Sequence, residues 1–277
     1  IEQFPIDAYG KDSASVVIKV NKVFDGSEKS FNNVFGSIGL PGSPKKELSK
    51  IESVKSFPEN IIVKSLLSTS HTEEGTTIPL TVEITSNLVL LAREPMRPRF
   101  SDDRVGYFEI GHLYFNDEQQ KAEERAFINR WRLEKKDESA ALSEPRQPIV
   151  YWLDKNIPVA YRAAVTAGVL EWNRSFERIG FKNAVVVKQQ GDDDEIDTSA
   201  TRFASIRWVA GNNVRFGARG PSKVDPRTGE ILDADIEVNE NITRVYSGRA
   251  AEDPPRPIGG QAIGAGLIRS GGDACLY

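Results

Sequence analysis

Residues 149 to 187 constrain this chain more than any other stretch, because they read as strand, long helix, strand. Ile149-Val150-Tyr151-Trp152-Leu153 is a short apolar run, β-branched and aromatic, of the kind that forms a buried strand. Pro158 suits the first turn of a helix, where its missing N–H costs nothing. Tyr161, Val165, Val169, Trp172, Phe176 and Ile179 then recur at spacings of four and three. That places them on one face of a helix about 22 residues and roughly 33 Å long. Gly180 is the expected αL stop, and Ala184 to Val187 the next strand.

The remaining elements are simpler. Residues 1 to about 100 read as β-rich: strands at Ser15–Val20, Asn60–Leu67 and Thr77–Thr85, with Ser68 to Gly75 as a polar hairpin loop. Asn87 to Leu91 is a further apolar run, and the whole suggests an antiparallel sheet with polar edges. Arg99 to Phe108 reads as a turn under an aromatic lid. A charged helix is expected over Asp117–Ile128 with Asn116 as its N-cap, then a strand at Arg130–Leu133. Glu134 to Pro148 has linker composition. Later come a strand at Ser205–Val209, a glycine-rich segment to Asp225, and a turn at Asp225-Pro226-Arg227-Thr228-Gly229-Glu230. Leu232, Ala234, Ile236 and Val238 alternate with Asp233, Asp235, Glu237 and Asn239, which predicts one strand with an acidic, solvated face at a sheet edge. The Gly/Pro-rich tail allows one helical piece near Gln261–Ile268.

Chemistry is sparse in these residues. With 277 residues, 39% hydrophobic and 27% charged, the chain is of ordinary globular composition. A net charge of -4 gives no electrostatic reason for a nucleic-acid partner, and no apolar run is long enough to span a bilayer. The single cysteine, Cys275, excludes an intrachain disulfide and lacks a nearby histidine for a catalytic thiol. His71 and His112 have no helical i, i+4 partner for zinc. Gly191-Asp192-Asp193-Asp194-Glu195 with Asp197 offers oxygens for calcium but fits no EF-hand spacing, so it reads as a solvated loop. Ile1 is not a translation start, so a processed or truncated chain is expected.

In combination, several motifs resemble one protein family. They are Arg104-Val105-Gly106-Tyr107-Phe108, Asn129-Arg130-Trp131-Arg132-Leu133, Ile149 to Leu153, Glu171-Trp172-Asn173 with Phe176, Gly180-Phe181, Ser205-Ile206-Arg207-Trp208 and Val224 to Ile231. Together they resemble the front portion of large, exported bacterial zinc-dependent metalloproteases of metzincin type, which carry an uncharacterised domain ahead of the catalytic domain. The resemblance implies an α+β protein with a β-rich accessory domain over 1–147, linker included. An incomplete, mixed-sheet catalytic subdomain with one long backing helix follows over 148–277. It implies zinc held by an H-E-x-x-H helix and a downstream ligand; no such motif stands in this sequence, so no metal ligand transfers to it and no cofactor is expected in it. It implies an exported, periplasmic or cell-surface location and a peptide or protein substrate. The residues it assigns to that substrate are the edge strand Asp233, Ala234, Asp235, Ile236 and Glu237, with Gly217, Ala218, Arg219 and Gly220 shaping the cleft rim. The alternative function is a non-catalytic surface module binding peptide or glycan through the β-rich half.

Overall fold

The computed structural model describes residues 4–11, 14–27, 34–115, 122–194, 196–211 and 216–252, and shows a strand-rich α+β protein. The chain forms two compact units, Ile1–Leu90 and Leu91–Tyr277. The residue pattern alone divides it at 147/148.

In the first unit, β1 (Ile6–Tyr9) pairs antiparallel with β2 (Val16–Ile18), and short helices α1 (Asn21–Phe24) and α2 (Val34–Ser37) bury Phe24 and Phe35. A single 3₁₀ turn at Lys46–Leu48 leads into the main sheet, in which β3 (Lys50–Ser56), β4 (Asn60–Glu73) and β5 (Thr76–Val89) are antiparallel in that order. Val63 and Leu67 on β4 are buried. Residues 68–73, expected to be loop, continue β4. Thr and Ser tolerate a pleated position, and cross-strand hydroxyl pairs such as Ser68–Thr81 (2.9 Å) hold them there. The actual turn is two residues, Glu74 (φ 48°) and Gly75 (φ 81°), the pattern of a tight hairpin.

The second unit begins with an antiparallel pair, β6 (Glu109–Tyr114) and β7 (Glu123–Ile128). The helix expected over 117–128 is therefore a strand from 123 onward; Asn116 and 117–121 lie outside the described residues. Helix-forming Glu and Arg side chains yield here to pairing, because Phe127 is buried against Phe100, with ring centroids 5.3 Å apart. The turn before β6 exists, closed by Val105 N–H to the Asp102 carbonyl at 2.9 Å, but Tyr107 and Phe108 are exposed and form no lid. Arg130–Leu133 is not a strand of its own; it contributes one parallel bridge, Arg130 to Glu230. Residues 134–148, read as a linker, are hydrogen-bonded back on themselves, and Ser143 exchanges backbone bonds with Gly180 and Lys182.

The strand–helix–strand unit is present. β8 (Ile149–Leu153) leads to α3 (Val159–Leu170) and α4 (Trp172–Arg178), which are separated only by Glu171, itself in helical conformation. Gly180 (φ 90°) closes α4: its N–H donates to the Glu177 carbonyl, and Phe181 N–H to that of Phe176. β9 (Val185–Gln189) then pairs parallel with β8. Tyr161, Val165 and Val169 pack on the buried Leu153, Ile157 and Ile206. Trp172 and Ile179 do not follow them inward; both are exposed. Their place against the sheet is taken by Asn173, whose amide donates to the Val185 carbonyl and accepts from its N–H, each at 2.9 Å.

β10 (Ser205–Val209), β11 (Ala218–Arg219), β12 (Ser222–Asp225), β13 (Glu230–Ala234), β14 (Ile236–Asn239) and α5 (Asn241–Glu252) complete the unit. The large sheet runs β11-β14-β10-β8-β9, parallel throughout except for β11; β12 and β13 form a separate antiparallel hairpin.

Candidate functional site

The alternating stretch 232–239 is not one strand. It breaks at Asp235, so that Asp233 and Ala234 belong to the β12–β13 hairpin while Ile236 and Glu237 enter the large sheet between β10 and β11. The break follows from what the two aspartates bind. Asp235 accepts from Ser205 Oγ on β10 (2.5 Å) and lies 3.3 Å from both Arg207 and Lys223. Asp233, fully buried, pairs with the same Lys223 ammonium. An acidic, solvated face was expected; the structure turns these carboxylates inward, where β10 and β12 supply the countercharges.

Among the described residues the large sheet ends in β11 on one side and β9 on the other, and β11 is the edge beside the predicted cleft rim. Ala218 and Arg219, expected as cleft rim, are that edge, and Glu237 is the residue opposite Arg219 on the second strand in. β11 is firmly seated. Arg219 Nε donates to Glu237 at 2.6 Å, its guanidinium lies over the Phe216 ring at 4.5 Å, and the Gly217 carbonyl accepts from Asn239 N–H at 2.8 Å. Gly217 and Gly220 face Ile242 and Ile236, where an added Cβ would sit at 3.5 and 3.4 Å. The structure thus brings Ala218 and Arg219 beside Ile236 and Glu237 as adjacent strands, with Gly217 and Gly220 flanking the first. It places Asp233 and Ala234 apart from them, in the hairpin.

Ser205, Arg207, Lys223 and Tyr151 are not among the site residues expected from sequence, although Ser205, Arg207 and Tyr151 fall in the motifs that carry the resemblance; they build the network beneath this edge. Arg207 Nε donates to Ser205 Oγ (3.0 Å) and its terminal nitrogen to the Thr198 carbonyl (2.8 Å). Burial pushes Tyr151 up to about 12, with the Asp233 and Asp235 charges adding to it. The signal available was Ser205 and Arg207 two apart, matching two aspartates two apart.

Burial, reinforced by Asp235, pushes Asp233 up to about 6 against the pull of Lys223 and Arg207. A carboxyl whose folded value lies above its ordinary one stabilises the native state below that ordinary value. The contribution is lost as pH rises through the folded value. Asp233→Asn removes this dependence. We expect the stability of wild type relative to Asp233→Asn to fall by about 3 kcal/mol between about pH 4 and pH 7. Urea unfolding at a series of pH values measures it, and a flat difference across that window would contradict the assignment.

A second layer of charge fixes the hairpin. Arg132 grips Glu230 through two hydrogen bonds (2.8 and 2.6 Å) and Arg227 grips the buried Asp225 (3.0 and 2.7 Å). Arg227 holds Asp225 below the usual carboxylate range. The same side chains reach backbone carbonyls of an extended segment: Arg227 to Ala92, Arg132 to Glu94, and Arg130 to Arg97.

Elsewhere the chemistry is thin. His71 lies in β4 and His112 in β6, opposite Arg125. In the 191–197 loop Asp194 accepts from Gly191 N–H and Asp197 from Ser199 N–H; Glu195 and Cys275 lie outside the described residues. A shallow concavity lined by Phe100, Asp103, Glu109 and Glu123 has its acidic wall partly occupied, since Arg125 takes both oxygens of Glu123. Among the described residues no three His, Cys, Asp or Glu gather as for a metal ion. No described helix is long and apolar enough to cross a membrane.

A family model for a domain of unknown function, DUF5117, matches residues 1–136. The match ends ahead of β8 and includes none of the edge residues. No curated protein and no solved structure matches the chain.

Proposed function

We propose that this chain is the front of an exported, metzincin-type zinc-dependent metallopeptidase, with the substrate side of its catalytic cleft already built. The observation that carries this reading is the mixed sheet of the second unit, ending in a seated antiparallel strand, β11, with its outer side open. An extended peptide adds to such an edge by backbone hydrogen bonds, with side chains selected by neighbouring pockets. Here Ala218 offers its outward peptide groups, since Gly217 bonds inward to Asn239 and Arg219 lies opposite Glu237, while Glu237 and Phe216 hold the Arg219 side chain in place. The buried pairs of Asp233 and Asp235 with Lys223 and Arg207 stiffen the strand behind it. In this reading the zinc ligands would lie further along the same protein, and zinc there would supply activation of water.

This chain alone is expected neither to hold stoichiometric zinc nor to cleave peptides. The chain continued through its natural reading frame is expected to bind one zinc and to hydrolyse casein, with activity lost on chelation. Metal-dependent turnover by the 277-residue chain itself would contradict the first expectation. A longer chain without zinc or cleavage, together with a saturable ligand site within residues 1–147, would favour a binding module instead.

A further inference from the structure

The three-stranded sheet of the first unit treats its two edges differently. β3 is guarded in the usual ways: Lys50, Glu52 and Lys55 charge it, and a register shift between Ile51 and Ser53 kinks it. β5 has neither device along most of its length. It runs 14 residues with the single charge of Glu83, and its register with β4 is unbroken from Thr76 to Val89. Among the described residues no strand pairs with its outer side.

Which groups point outward follows from β4. Ser68 donates its N–H to Ser49 Oγ (3.0 Å) and accepts from Lys45 N–H (2.8 Å), so it turns its peptide groups away from β5. Its partner Thr81 therefore turns its own outward, as do Pro79, Glu83 and Thr85 by the period of two. Pro79 has no N–H to give, which ends the usable edge toward the hairpin tip.

We propose that β5 pairs antiparallel with β5 of a second copy of this chain, about a two-fold axis at Ile84. The strand is self-complementary in that register. Glu83 of each copy faces Thr85 of the other rather than its own image. Ile84 meets Ile84, Leu80 meets Leu88, and Ile78 meets Leu90. Ile78, Leu88 and Leu90 are 41%, 49% and 74% exposed in the single chain, and this pairing sets them across from apolar partners. An axis one residue earlier opposes Glu83 to Glu83. The result is a continuous six-stranded sheet with an isologous interface.

Light scattering on the full chain tests this. Mass is expected to rise from one chain toward two across about a hundredfold increase in concentration. Thr85→Pro removes an outward N–H that β4 does not use, and should hold the protein at one chain with an unchanged circular dichroism spectrum. Thr85→Glu sets glutamate opposite Glu83 of the other copy, while within its own chain it faces Lys64 across the strands. It should weaken the dimer roughly fivefold at low salt, a loss relieved at high salt. A wild-type chain that stays single throughout overturns the proposal. So does a folded Thr85→Pro that associates like wild type, or a Thr85→Glu that associates as tightly as wild type at low salt.

Discussion

Gly229→Ala is expected to destabilise the second unit by about 2–5 kcal/mol, the sum of a left-handed backbone penalty and an overpacking cost. Gly229 has φ 73°, in the region that side chains disfavour. An added Cβ would also stand 2.4 Å from the Ile128 carbonyl oxygen and 3.3 Å from that of Phe127. Those atoms are backbone and have no rotamer by which to withdraw. Relief requires the turn to move away from the 127–130 segment. That movement breaks the Arg130 N–H bond to the Gly229 carbonyl (2.9 Å) and the Ile231 N–H bond to the Arg130 carbonyl (2.9 Å). Thermal unfolding of the variant should show a fall in Tm of about 5–15 °C. A Tm within about 2 °C of wild type would show that the turn yields freely.

Arg132→Ala should cost about as much, roughly 3–5 kcal/mol, because it leaves the buried Glu230 carboxylate without its countercharge. The guanidinium now satisfies both Glu230 oxygens and the Glu94 carbonyl at 3.1 Å. Water replaces it poorly at a residue 9% exposed. Arg132→Lys keeps the charge but not the planar fork, so its loss should fall between wild type and alanine. Glu230→Gln combined with Arg132→Ala should cost less than the two single changes added, with a coupling of about 1–3 kcal/mol. Denaturant unfolding of the four proteins measures this. Additivity would mean that the pair contributes no stability of its own.

These two sites also show where sequence was readable. The turn at 225–230 was legible because Asp, Pro, Thr and Gly each favour it by local chemistry, and the structure forms it with Asp225 accepting from Arg227 N–H. β8, the helix behind it, β9 and β10 were legible by periodicity for the same reason. What the periodicity did not hold is which side chains the sheet would use. Trp172 continues the apolar stripe, yet Asn173 makes the contact, because Val185 presents an unpaired peptide group there and an amide satisfies it. The alternation through 232–239 has no local mark of a break. Asp235 ends one strand only because Ser205 and Lys223, distant in sequence, take its carboxylate. The edge was misplaced by the same blindness. Ala218 and Arg219 have little strand character in isolation and form β11 only by pairing with Val238 and Glu237. The Ser15–Val20 strand shortened to Val16–Ile18, and the 68–75 loop became strand, for want of any view of their partners.

We propose β11 as the substrate edge of a zinc-dependent cleft whose metal site would lie further along the same protein. The most direct measurement is to read the natural coding sequence onward from Tyr277. An in-frame H-E-x-x-H, followed by a His, Asp or Glu ligand, is expected within about 200 codons. A stop codon soon after Tyr277, or a long open frame lacking that motif, would contradict it.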